Sequence, residues 1–297
     1  MHEPVLLKEV FEVLEPKSKD FFIDATLGMA GHAKKAVEKI SPKGFLVGID
    51  RDPDSLQKGK QKLIEHVEEE NLKVNLSFFQ ANYTDLPKII NEIGRKPDCI
   101  LFDLGFSTFQ VFSGKGFSYD QDEPLIMRYD GDVSKLTAAR VLNEYDKKKL
   151  AQILKQYGEE RFAERIADGI SKERRKKSFR TTKDLVKAVR RSLPSNYPSK
   201  KRPEARVFLA LRNFINHEPE DLKKMLDFLP DMLSKKGRVA IITFNSLEDR
   251  IVKKKFKSFS KKDSMELLTK KPIKPSKKEI EKNNYARSAK IRAIKNK

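Results

Sequence analysis

The chain is poor in the residues that cross-link a fold or hold metal. Among its 297 residues Cys99 is the only cysteine. An internal disulfide and a cysteine-rich metal site are therefore excluded, and with them a secreted disulfide scaffold. The four histidines, His2, His32, His66 and His217, show no ligand spacing, so no metal is expected. No apolar run approaches the roughly 18 residues that cross a bilayer, so no membrane partner is expected. The first 16 residues are acidic and amphipathic, unlike a signal peptide. No internal repeat is present. These absences leave a cytoplasmic enzyme or binding protein.

Acids are also in short supply, with 43 Asp+Glu against 63 Lys+Arg, a net charge of +20. The excess is localised. Residues 170–206 hold 14 basic and 3 acidic residues, residues 251–297 hold 17 and 4, and the rest of the chain nets −4. Two basic blocks on a nearly neutral body suit a polyanion, because each Lys or Arg placed at a phosphate releases a counterion. The plainer alternative is a lysine-rich surface set by overall composition. Hydrophobic residues make up 38%, including 19 Phe, which is enough for a core and argues against disorder.

The first hundred residues alternate between short apolar runs and helical stretches. Residues 21–25, 44–50, 74–79 and 98–103 read as strands. Residues 32–40, 53–70 and 84–94 read as helices. This rhythm predicts a parallel sheet covered on both faces. Residues 105–130 then read as a long functional loop, 134–192 as helical, 193–204 as a proline-rich linker and 205–233 as helical again. A strand over 237–244 and a helix from a Ser246 N-cap follow, and extended pieces near 265–273 and 287–294 can pair as a hairpin. The pattern predicts an α/β fold, a doubly wound, mostly parallel sheet interrupted by an all-helical insertion. The expected division is 1–108 plus 205–297 for the sheet domain and 109–204 for the insertion.

Chemistry concentrates at the strand ends. The turn Asp24-Ala25-Thr26-Leu27-Gly28-Met29-Ala30-Gly31-His32 is a strand, a small-residue turn and a helix start, where free N–H groups meet a nucleotide-like ligand. Asp50 ends the next strand, where an acid can hold ribose hydroxyls, and Asp103 ends the fourth. The turn lacks a strict GxGxxG, so a dinucleotide is not favoured. An acid, a turn and two further acids at strand ends fit S-adenosylmethionine better, with its methionine part at the first turn, its ribose at Asp50 and its methyl near Asp103. A carboxylate at Asp103 can accept a hydrogen bond from an amino nucleophile; the plainer reading is a cofactor contact or a loop cap. His32 reads as a cofactor or backbone contact more readily than as a general base. Phe106, Phe117 and Tyr119 can stack on an extruded base or pin their loop. Arg128, Arg206 and Arg212 can grip phosphates or form internal pairs, and Glu248-Asp249-Arg250 can serve a site or a helix start.

A series of motifs in fixed order carries a resemblance. It runs through His2-Glu3-Pro4-Val5-Leu6-Leu7, Asp24-Ala25-Thr26-Leu27-Gly28, Asp50-Arg51-Asp52-Pro53 and Asp103-Leu104-Gly105-Phe106-Ser107. It continues through Gly116-Phe117-Ser118, Tyr157-Gly158-Glu159-Glu160, Ala210-Leu211-Arg212, the octet Ser246 to Lys253 and Ala286-Arg287-Ser288-Ala289-Lys290. The chain resembles the bacterial 16S rRNA cytosine-N4 methyltransferase family (RsmH, formerly MraW), almost end to end. The resemblance implies a class I S-adenosylmethionine-dependent methyltransferase fold. It also implies methyl transfer to the exocyclic N4 of one cytidine in the decoding region of 16S rRNA in the small ribosomal subunit. Carried over by position, the cofactor contacts are Ala30, Gly31, His32, Asp50, Tyr83, Asp103 and Gln110, and Asp103 is the catalytic candidate. The chain departs from the family at Ala30 and Ala33, where Gly and Ser are usual. It departs again at Glu123 and Ile126 in place of Gly and Asp, at Asn245 in place of His, and in the Arg202–Arg206 segment. The departures beyond Ala33 lie on the expected substrate side and keep two alternatives open: a methyltransferase acting on another amino group, and a non-catalytic rRNA-binding assembly factor. Monomer and homodimer are both open.

Overall fold

The computed structural model describes residues 4–105, 108–198 and 202–297. Its contacts divide the chain into two compact units, Met1–Phe106 with Glu220–Lys297, and Ser107–Pro219.

The first unit opens with α1 (Leu7–Leu14), β1 (Phe21–Asp24), α2 (Gly31–Ile40), β2 (Gly44–Asp50), α3 (Pro53–Glu69), β3 (Val74–Gln80), α4 (Leu86–Ile93) and β4 (Cys99–Asp103). The second unit carries α5 (Thr108–Val111), α6 (Ala138–Glu144), α7 (Lys147–Gly158), α8 (Ala163–Glu173), α9 (Thr182–Arg191) and α10 (Pro203–Ile215). The chain then completes the first unit through α11 (Glu218–Met232), β5 (Arg238–Thr243), α12 (Ser246–Lys261), β6 (Met265–Leu267), α13 (Lys277–Lys282) and β7 (Lys290–Asn296).

The seven strands form one sheet in the order β3-β2-β1-β4-β5-β7-β6, parallel from β3 to β5, with β7 antiparallel to both neighbours. This is the doubly wound, mostly parallel sheet expected for a class I methyltransferase. The late extended pieces do pair, but an excursion carrying α13 replaces a hairpin turn. Phe21 and Ile23 face a core built with Leu86, Ile89, Leu222, Met225 and Phe256 from α4, α11 and α12. Phe22 faces the other core, with Val10, Leu14, Ala36, Ile40 and Leu63 from α1, α2 and α3. Fully burying a side chain of this size stabilises by about 1.5–3 kcal/mol, so alternation along a four-residue strand anchors both helix layers.

Register sets the site. Asp24 pairs with Gly48 of β2 and Leu101 of β4. Asp50 and Asp103 therefore each stand two residues beyond Asp24, on the same face, at the carboxyl edge of the sheet. β1 lies where the winding reverses, since the chain runs from it to β2 on one side and pairs with β4 on the other. Such a switch point is where open α/β sheets leave a crevice.

In the second unit Leu150, Ile153, Ile166, Ile170, Leu185 and Val189 form a helical core that Val207, Phe208 and Leu211 of α10 complete. The boundary expected at residue 205 falls inside this helix. Pro203 suits its first turn, so the proline-rich segment ends by starting a helix. The helical stretch over 205–233 is broken at Asn216-His217, where His217 has a φ of 55°. The N-cap of α12 is Asn245 instead of Ser246. Its side chain accepts from Glu248 N while the Glu248 carboxylate accepts from Asn245 N, a capping box.

Candidate active site

The first turn is stitched to its neighbours by backbone bonds, Ala25 N to Leu101 O (2.9 Å) and Leu27 N to Ile49 O (2.8 Å). Gly28 (φ 50°) and Ala30 (φ 61°) both adopt left-handed backbone. Ala30 caps α2 with a methyl that cannot accept a hydrogen bond, so no side-chain cap covers the first N–H groups of α2. The left-handed backbone accounts for the usual Gly there, since a Cβ costs roughly 1–2 kcal/mol in that region. A Cβ on Gly31 would lie 2.5 Å from Pro4 Cγ, so residue 4 closes on the turn.

Asp50 accepts from Gly28 N through Oδ2 and from Asp52 N through Oδ1, both at 2.9 Å. Each oxygen keeps a second lone pair for a ligand hydroxyl. Burial pushes its carboxyl up to about 6 despite these two donors. Asp103 donates its backbone N–H to Thr26 Oγ1 at 2.7 Å, and its Oδ2 lies 3.7 Å from His32 Nδ1. His32 Nε2 lies 3.0 Å from Val5 O. Burial lowers the His32 pKa, against the negative charge of Asp24 and the bond to Val5. Asp24, 2% exposed, is pushed up to about 7, first by burial and then by the charges of Asp103 and Asp50, against the Thr26 N–H and the attraction of His32 in its protonated form.

Tyr83 sits in a 3-10 turn after β3, capped by Asn82 and edge-on to Phe102 at 5.9 Å. Asn82 Nδ2 donates to Asp221 Oδ2 at 2.6 Å, and Arg51 approaches the same oxygen at 3.8 Å. The structure thus brings Ala30, Gly31, His32, Asp50 and Asp103 to the ends of β1, β2 and β4, with Tyr83 at the end of β3. Gln110 lies on α5 in the second unit, where its carbonyl oxygen accepts from Ser113 Oγ at 2.8 Å. Among the described residues no cluster of three or more His, Cys, Asp or Glu side chains could hold a metal ion.

Several other candidates have internal work. Phe117 is buried and stacked on Tyr129 at 5.4 Å, and Tyr119 meets Phe208 edge-on at 5.8 Å, so both pin their loop. Phe106 lies outside the described residues. Arg128 forms a fork with Asp130 (2.8 and 2.6 Å), and Arg212 forms one with Glu218 (2.9 Å twice). Arg206 approaches Glu160 at 3.8 Å. Asp249 binds Arg292 at 2.7 Å. Glu123, at a departing position, accepts from Gly116 N at 2.9 Å. Gly116 is itself at φ 82°, where a Cβ would lie 2.2 Å from Pro124 O.

The sequence reading missed three contributors. Thr26 holds the Asp103 backbone. Val5 fixes His32. Gly59 of α3 lets Gly28 O approach, since a Cβ there would lie 2.3 Å away. The DATLG block contains Thr26, and the opening block contains Val5. Gly59 carries no local signal, because a glycine inside a helix looks only like a weak helix former.

The chain matches the MraW methylase family over residues 1–297. It belongs to that family. Among its relatives is a ribosomal RNA small subunit methyltransferase H of Caldicellulosiruptor saccharolyticus, 40% identical over 308 residues, covering 98% of this chain and 97% of that protein. Proteins of the same name from Dictyoglomus thermophilum (40% over 296 residues, 98% and 95% covered) and Clostridium botulinum strain Kyoto (37% over 308 residues, 98% and 97% covered) are similar. As a MraW methylase the chain is a methyltransferase with S-adenosylmethionine as its cofactor. The crevice fits that molecule chemically. The uncapped N-terminus of α2 suits a carboxylate, the acids suit an ammonium and a sulfonium, and Asp50 has lone pairs left for hydroxyls.

Proposed function

We propose that this MraW methylase transfers a methyl group to the exocyclic N4 of a specific cytidine in the decoding region of 16S rRNA. The names of its relatives and the ordered motif series support ribosomal RNA of the small subunit as the substrate, and a cytoplasmic site of action follows. The observation that carries the chemistry is the Asp103 carboxylate at the switch-point crevice, facing a neutral, buried His32.

The N4 lone pair is delocalised into the cytosine ring, so N4 is a poor nucleophile. When bound, the cofactor supplies an electrophilic methyl on a positively charged sulfur. Asp103 accepts a hydrogen bond from N4, turns its lone pair toward the methyl, and stabilises the positive charge that grows on nitrogen. As the N–C bond formed, the methyl–sulfur bond would break with its electron pair left on sulfur, the N–H electron pair would stay on nitrogen, and the proton would pass to the Asp103 carboxylate. His32, with its Nδ1 lone pair toward Asp103, is placed to accept a hydrogen bond from that carboxyl group once it carries the proton. Ala30, Gly31, His32, Asp50, Tyr83 and Gln110 are the residues proposed to hold the cofactor. The helical second unit is proposed to select the substrate. The two basic blocks are proposed to hold the RNA backbone, which gives affinity without sequence choice. Within the first block, Arg174 instead bonds Leu142 O and Tyr145 O, so it serves its own helix pair.

Glu123 and Asn245 have local structural roles in the loop and the α12 cap. A different amino-group substrate therefore draws no support from these two positions. The deciding experiment is transfer of labelled methyl from S-adenosylmethionine to small ribosomal subunits that lack the modification, followed by mapping of the labelled nucleotide. Label at N4 of one cytidine is expected. Cofactor binding without transfer would favour an assembly factor.

A further inference from the structure

We propose that the excursion between β6 and β7 is a docking surface for an unpaired RNA strand, with the Tyr285 ring as the platform for one base. The proposal rests on the RNA substrate read above and adds where and how part of that RNA seats.

Topology puts the excursion at the working edge of the sheet. β7 begins at Lys290, paired with Thr243, and Ile242 is level with Asp103. The segment that enters β7 therefore leaves from the same carboxyl edge as Asp103. The excursion is also firmly anchored. Ile273 and Ile291 exchange backbone bonds at 3.0 and 2.9 Å. Glu279 Oε1 accepts from Leu6 N at 2.7 Å. Ala286 and Ala289 are buried in the core that also holds Val5, Leu6 and Ala30. The Asn283 side chain accepts from Tyr285 N at 3.1 Å.

What this anchored backbone presents outward is specific. Between and beside the buried alanines stand Arg287 and Tyr285, and Tyr285 is 55% exposed. Around them Lys270, Lys271, Lys274, Lys277, Lys278 and Lys282 are exposed. The excursion has only two acids, Glu279 and Glu281, and the first is engaged with Leu6. Lysines alone would grip any polyanion, duplex included. An exposed aromatic ring on an anchored backbone among them gives nothing extra to a duplex, whose bases are stacked on each other. It gives an unpaired base a face to stack on. An acidic protein would use the charge and leave the ring idle.

The test uses the full chain and a short single-stranded oligoribonucleotide, with a duplex of the same sequence, followed by fluorescence anisotropy over a range of salt. Tyr285→Ala is expected to weaken single-strand binding roughly tenfold, the effect of removing one stacked ring, with the salt slope unchanged. Tyr285→Trp is expected to restore it, and duplex binding is expected to ignore both changes. Lys277→Gln with Lys278→Gln and Lys282→Gln is expected to flatten the slope by roughly 0.7 for each phosphate that is no longer neutralised. Wild-type affinity in Tyr285→Ala, or an equal loss on duplex, overturns the stacking platform while leaving the proposed function standing. Absence of single-strand binding by the wild-type chain overturns the docking surface, while methyl transfer to small subunits decides the proposed function separately.

Discussion

His32 Nε2 and the carbonyl oxygen of Val5 are 3.0 Å apart. A carbonyl can only accept, so this nitrogen carries the proton, and in the neutral ring Nδ1 presents its lone pair toward Asp103. The tautomer of a residue at the start of α2 is therefore set by a segment that precedes α1. Burial keeps the ring neutral, and the same burial makes three carboxyl groups on one sheet edge compete for charge. The Asp24 carboxyl is buried, that of Asp50 is tied to two backbone amides, and that of Asp103 faces Nδ1 of His32 at 3.7 Å.

That competition has a consequence for pH. The Asp24 carboxyl rises from 3.8 in the ordinary state to about 7 in the fold, chiefly through burial, with Asp103 and Asp50 as its negatively charged neighbours. The folded state thus binds a proton that the unfolded chain has released between about pH 4 and 7. Its stabilising contribution is full below about pH 4 and is lost as pH rises through 7. Asp24→Asn, which keeps an acceptor for Thr26 N–H, is expected to raise stability at pH 8 by on the order of 2–4 kcal/mol and to flatten the pH profile of melting. An unchanged profile would show that Asp24 ionises freely.

Gly59→Ala is expected to strike the proposed cofactor crevice from behind. The new Cβ would stand 2.3 Å from Gly28 O, and neither backbone can yield without moving the turn. A loss of about 1–3 kcal/mol in stability is expected from such overpacking. A weaker affinity for S-adenosylmethionine by calorimetry should accompany it. Loss of stability with cofactor affinity intact would separate Gly59 from the turn.

The sheet was legible because its strands are short apolar runs ending in acids, a pattern with few competing readings. Asp24, Asp50 and Asp103 could be placed at strand ends from that pattern alone. Their common face could not, because it depends on the register of β1 against β2 and β4. The contact division places α10 in the second unit, which sequence does not show because α10 looks the same whichever core it completes, and only packing against α7 and α9 decides. Asn245 reads as a lost histidine in sequence, whereas its meaning is geometric: a side chain that caps α12 with Glu248. Phe117 and Arg212 illustrate the same limit, since an aromatic or an arginine declares its chemistry in sequence but not its partner.

Glu123→Ala is expected to loosen the loop that follows α5. It leaves the buried Gly116 N–H without its acceptor, at a cost of about 1–3 kcal/mol. The bonds of the Glu123 backbone remain, its N–H donating to Thr182 Oγ1 and its carbonyl accepting from Thr182 N. Limited proteolysis should then cut between residues 113 and 130 sooner than in the wild type, and Glu123→Gln, which keeps an acceptor, should be protected. Equal cutting rates in all three proteins would remove Glu123 from the loop's support.

Asp103→Asn separates charge from shape. The amide fills the same volume, and the Asp103 backbone keeps its bond to Thr26 Oγ1. In the proposed reaction it cannot take up the proton that N4 would release or balance the positive charge on that nitrogen. Under saturating substrates the rate of methyl transfer is expected to fall by roughly 10²–10⁴, the range for loss of a positioned acid–base group. Since the carboxylate acts mainly as charge develops, the KM for RNA should shift only a few-fold. If the loss instead appears wholly in KM, Asp103 positions ligands only, and the proton leaves N4 by another route.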